Sequence, residues 1–106
     1  MKPHTPPEAV AANAKKGLEL RKTYKRGGTM VGVARARDLM HQKNMPMRTI
    51  KRMYSYFKRH TVDKDAKDFG NDKKPSPGYI AWLLWGGDAG YTWVKGIMKS
   101  HVENKK

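Results

Sequence analysis

Apolar residues along this chain recur every three or four positions, the period of a helix with one buried face, and nowhere alternate as they would in a half-buried strand. Five helices are predicted, over about residues 6–26, 30–42, 46–60, 77–86 and 88–103. In the first, Val10, Ala11, Ala14 and Leu18 form a narrow apolar stripe. Thr5, Pro6 and Glu8 read as a capping box with proline at the first helical position, and Gly27 and Gly28 as the stop. The second follows Thr29, with Val33, Ala36, Leu39 and Met40 on one side. After a break at Asn44, Met45 and Pro46, the residues Ile50, Met53, Tyr54 and Phe57 give the strongest amphipathic signal. By that period Tyr54 belongs to the core and Tyr56 to the surface.

Residues 61–76 turn to Asp, Lys and Gly and read as a surface connection, with Val62, Ala66 and Phe69 as its candidate anchors. Ser76 and Pro77 then launch a helix that is apolar nearly all round, from Tyr79 to Trp85, and so is expected to be the most buried. Gly86 and Gly87 end it. Asp88 is placed to cap the last helix, whose stripe is Trp93, Val94, Ile97, Met98 and Val102. The expected fold is thus all-α, one small domain of about five helices over residues 1–106.

Charge sharpens this picture. Between Lys15 and Arg59 fourteen Lys and Arg stand against two acids, Glu19 and Asp38, a net +12 out of +14 for the whole chain. Cations at that density on helices are the footprint of a protein that meets a polyanion, because each neutralised phosphate releases a condensed counterion. The second and third helices, joined at Asn44 to Pro46, match the layout of a helix-turn-helix, in which the second helix enters the major groove. The alternative is an antiparallel hairpin whose charges only face water. In the first case Arg48, Lys51, Arg52 and Ser55 would face the groove, Lys58 and Arg59 would grip phosphate, and Tyr56 would add an exposed aromatic contact. Arg21, Lys22, Lys25, Arg26, Arg35 and Arg37 extend the candidate set.

Other chemistry is poorly supported. With no cysteine, disulfide frameworks, thiolate zinc sites and thiol catalysis are excluded. Asp63, Asp65, Asp68 and Asp72 are interleaved with lysines that would repel a metal ion, so neither metal nor cofactor is expected. His60 beside Asp63 lacks a partnering nucleophile, and no enzyme is read from it. The glycines from Gly86 to Gly90 lack the lysine and hydroxyl of a P-loop and suit a tight reversal. The longest apolar run, Tyr79 to Trp85, is seven residues, against roughly twenty needed to span a bilayer, so no membrane partner is expected.

The strings GGTMVGVARARDL, TIKRMYSYFKRHTVDK and SPGYIAWLLWGGDAGYTW resemble a small domain associated with tailed-phage and other virus-derived polypeptides, found alone or appended to head-module proteins such as prohead-protease-like chains. The similarity covers about Ala11 to Trp93 and implies a viral source, in the host cytoplasm or the virion, more firmly than it implies an activity. Arg35, Arg37, Asp38, Arg52, His60 and Asp63 match the pattern. Met45 before Pro46 departs from it, where a serine-type cap is usual. Together these readings predict a non-catalytic nucleic-acid-binding phage protein, with DNA ahead of RNA as partner. The alternative is a head-assembly protein whose basic face docks on an acidic capsid or portal surface. Asp38, alone among cations, is expected to pair with Arg35 or Arg52 and fix helix register.

Overall fold

The computed structural model describes residues 4–104, with side chains as far as His101. Five α-helices follow one another: α1 Glu8–Tyr24, α2 Met30–Met40, α3 Met47–His60, α4 Pro77–Leu84 and α5 Gly87–Asn104. A short 3-10 helix, Thr61–Asp65, extends α3, and no strand occurs among the described residues.

Two of the expected starts form as read. The Thr29 hydroxyl accepts from the Gly32 N–H at 3.3 Å, and Ser76 Oγ accepts from the Tyr79 N–H at 3.1 Å with Pro77 in the first turn. The Thr5 box does not form. Pro7 stands at the cap of α1 without a side-chain bond, because the preceding segment is held extended elsewhere. The His4 carbonyl accepts from Met45 N–H at 3.0 Å, the His4 N–H donates to Asn44 Oδ1 at 2.8 Å, and the carbonyl of buried Pro6 accepts from Gln42 Nε2 at 2.8 Å. These ties to the α2–α3 connection hold the strand of chain that a capping box would need to curl. The far end of α1 also differs, because Lys25 turns left-handed at φ 55 and closes the helix two residues early.

Helix α4 is the axis of the core, as its composition predicts. Ile80, Trp82 and Leu84 are buried, each stabilising by roughly 1.5–3 kcal/mol relative to exposure, and α4 touches each of the other four helices. Its approach to α1 is backbone to backbone. A Cβ built on Gly17 would lie 2.8 Å from the Leu84 nitrogen, so the glycine that weakens α1 locally is what lets the two helices cross. Asp88 is not a cap: α5 begins at Gly87, and the Asp88 carboxylate instead accepts from Trp82 Nε1 and Lys64 Nζ, each at 2.9 Å. The side chain of Val102 lies outside the described residues.

The arrangement of α2 and α3 departs from a helix-turn-helix. α2 packs on α1 and α4, α3 packs on α5, and no close backbone approach joins α2 to α3. The end of α4 fills the space between them: Trp85 stacks on Tyr56 of α3, while the Arg35 guanidinium of α2 lies 5.7 Å from the Trp85 ring. A bulky indole occupies the place where the two helices would otherwise meet.

Residues 61–76 are less detached than a surface connection. Phe69 packs edge-on to Tyr79 at 5.1 Å, and Pro75 is fully buried, whereas Val62 and Ala66 are exposed and anchor nothing.

Candidate nucleic-acid interface

Helix α3 is sharply two-sided. Ile50, Met53 and Phe57 are wholly buried, and Arg48, Lys51, Arg52, Ser55, Lys58 and Arg59 are exposed opposite them. Arg48, Lys51, Arg52, Ser55 and Arg59 share one shallow hollow of about 530 Å³. None of the five cations on this ridge forms an ion pair with a carboxylate among the described residues. Lys58 stands at the edge, its ammonium 5.3 Å from the Tyr54 ring.

The remaining candidates do not join this ridge. Arg21, Lys22 and Arg37 line a separate hollow of about 370 Å³ between α1 and α2, with Leu18 and Val33 as its apolar wall. Arg21 is partly committed, its Nε donating to the Gly27 carbonyl at 3.0 Å. Lys25 and Arg26 are exposed at the turn after α1.

Arg35 has a structural role. Its side chain is only 14% exposed, pairs with Asp38 at 3.4 Å and covers Trp85. Burial pushes the guanidinium down from its ordinary value, with Asp38 opposing that shift and nearby Arg52 adding to it. Asp38 also lies 3.6 Å from Lys43. It pairs within α2 and with the chain just beyond it, and forms no bridge to Arg52 among the described residues.

Tyr56 and Tyr54 exchange the roles expected of them. Tyr56 is 6% exposed, sandwiched between Trp85 (centroids 4.7 Å apart, planes at 12°) and His60 (4.5 Å, 26°), while Tyr54 is half-buried beside Tyr91. Both tyrosines flank the Ile50–Met53–Phe57 stripe. Which of them is covered depends on the side from which Trp85 arrives, and helical period does not record that. The Tyr56 hydroxyl is closed off from bulk water and has no hydrogen-bond partner among the described residues, a condition that ordinarily costs about 1–3 kcal/mol. Burial, and secondarily the charge of Asp63, push its phenol well above the ordinary value.

His60 and Asp63 do meet, Nδ1 to Oδ2 at 3.2 Å, at the junction of α3 with the 3-10 turn. The other acids of that run are dispersed: Asp72 accepts from Lys16 and Tyr79, both at 2.9 Å, and no group of three metal-ligating side chains exists among the described residues. The glycine turn after α4 makes the expected reversal, with Gly86 at φ 114 and its carbonyl accepting from Asn13 Nδ2 at 2.9 Å.

One feature of the surface has no counterpart in the sequence reading. Arg52 and Arg59 line a second hollow of about 580 Å³, closed on its other sides by Gly28 and Thr29 before α2, Pro77 and Gly78 of α4, and Trp85. The cap signals at Thr29 and Ser76 announce two helix starts, but nothing in the sequence says that both border one hollow beside α3.

Comparison with protein-family models, with curated proteins and with solved structures found no match to this chain. No described helix is long and apolar enough to cross a membrane.

Proposed function

We propose that the protein binds nucleic acid without catalysis, DNA foremost, and that the exposed ridge of α3 is the surface that grips the phosphate backbone. The observation that carries this reading is the absence of carboxylate partners: Arg48, Lys51, Arg52, Lys58 and Arg59 project from one helix face, and no acid of the described residues neutralises them. Cations held close together and unpaired repel one another, and a polyanion relieves that repulsion while releasing its counterions. Arg35 takes no part in this contact, and Tyr56 lies off the exposed ridge. Lys22 and Arg37 supply a secondary basic surface on α1 and α2. Following the resemblance, the reading extends to a virus-derived protein working in the host cytoplasm or packaged in the virion.

Gel shifts over a salt series on matched duplex DNA, single-stranded DNA and RNA test it. If the five ridge cations each meet a phosphate, the logarithm of affinity falls against the logarithm of salt with a slope of roughly −4 to −5 on duplex DNA. A slope near zero on all three substrates would remove the reading.

A further inference from the structure

The hollow on the far side of Arg52 and Arg59 differs from the ridge in kind. The ridge hollow is lined by polar side chains alone, whereas this one also has an apolar wall, formed by Trp85, Ala81 and half-exposed Val31. The first turns of α2 and α4 border it and neither contains an acid; the Asp63 side chain packs against Gly78 at the start of α4, which leaves the start of α2 as the helix end open to an anion. Asp63, the one acid in the wall, is bonded to His60. Tyr56, more than nine-tenths buried and with an unpartnered hydroxyl, is also among the lining residues. That hydroxyl is one of three buried side-chain polar atoms without a partner among the described residues, with Arg35 Nε and His101 Nε2, and of the three residues Tyr56 alone lines this hollow, where a ligand oxygen would supply its partner.

We infer that this hollow is a nucleotide subsite: one phosphate seated between Arg52, Arg59 and the start of α2, with the attached nucleoside against the Val31 and Trp85 wall. The volume lies in the range of small-ligand sites, and a bare anion would leave the apolar wall unused. The Asp63 carboxylate, retaining acceptor capacity beyond His60, is placed to receive an amino or imino hydrogen of the base. The inference rests on the nucleic-acid reading, because Arg52 and Arg59 line both hollows and a strand lying along α3 has one of its nucleotides beside this opening. The same chemistry would accept a free mononucleotide.

Calorimetric titration of the full chain with adenosine 5′-monophosphate, adenosine and inorganic phosphate separates these contributions. The nucleotide is expected to bind at least tenfold more tightly than either fragment. Tyr56→Phe, which removes the hydroxyl and keeps the ring stack, is expected to weaken the nucleotide about fivefold with the thermal midpoint unchanged. Arg59→Gln weakens it further, and Lys99→Ala, exposed on α5 and outside this hollow, leaves it within twofold. A single-stranded hexanucleotide then identifies the source: weakening of both ligands by Tyr56→Phe assigns the site to a nucleotide of the strand, and weakening of the mononucleotide alone assigns it to a free one. No binding of the nucleotide at millimolar concentration overturns the inference, as does equal affinity for inorganic phosphate or indifference to both Tyr56→Phe and Arg59→Gln. If the mononucleotide fails while DNA binding keeps its salt slope, the subsite falls and the ridge stands. If the mononucleotide binds while the salt plot is flat, the ridge falls and the subsite stands.

Discussion

Trp85 lies flat against Tyr56, centroids 4.7 Å apart and ring planes 12° from parallel, and this pair holds α4 against α3. His60 continues the stack beyond Tyr56, and Arg35 covers the other end beyond Trp85, so a column of four side chains from three elements crosses the place where α2 and α3 would otherwise meet. Tyr56→Ala removes the middle of that column and is expected to cost about 3–5 kcal/mol in urea unfolding, the range for a large buried aromatic. Tyr56→Phe is expected to leave stability unchanged or slightly raised, since the hydroxyl it deletes has no partner.

Arg35 is expected to act on folding and not on nucleic acid. Arg35→Ala loses the cover over Trp85 and the pair with Asp38, while Lys43 continues to serve the acid. A loss of about 1–2 kcal/mol in chemical unfolding follows, with the salt slope of DNA binding unaltered. A lowered slope at full stability would return Arg35 to the interface.

At Gly17 helix propensity and packing pull in opposite directions. Alanine would favour α1 by about 0.5–1 kcal/mol were the site free. Its Cβ would instead stand 2.8 Å from the Leu84 backbone nitrogen, and backbone does not step aside as a side chain does. Gly17→Ala is therefore expected to lower the thermal midpoint, with a net loss of roughly 1–3 kcal/mol.

Acid should loosen the fold in a narrow window. Hydrogen bonds from Lys16 and Tyr79 hold the Asp72 carboxyl below its ordinary value, and Lys64 with Trp82 does the same for Asp88. A carboxyl more acidic when folded than when unfolded contributes fully above the ordinary value of about 3.9, and the contribution drains away as pH falls through the lower folded value. Both side chains are more than half exposed, so screening keeps the effect small. Thermal midpoints are expected to be level from about pH 7 to pH 5 and to decline below about pH 4, less steeply in Asp72→Asn.

On the ridge, Arg48→Ala, Lys51→Ala and Arg52→Ala are each expected to reduce the magnitude of the duplex salt slope by about one, with stability unchanged because all three side chains are exposed. Arg37→Ala, in the separate hollow on α1 and α2, is expected to change it by less.

The number, order and approximate limits of the helices were legible in the sequence because each rests on local signals: an apolar stripe of helical period, Thr29 or Ser76 at a start, a glycine pair at an end. The two-sidedness of α3 was legible for the same reason, since Ile50, Met53 and Phe57 fix one face and so place Arg48, Lys51 and Arg52 on the other. Tertiary structure alone decided what period leaves open. The Thr5 box lost to ties between His4, Pro6 and the α2–α3 connection, and Tyr56 rather than Tyr54 was covered because Trp85 arrives from its side. It also left α2 and α3 without a close backbone approach, and brought two helix starts to the flank of Arg52 and Arg59. Local pattern determines which face of a helix is apolar; which neighbour covers the edge of that face depends on contacts between residues distant in the chain.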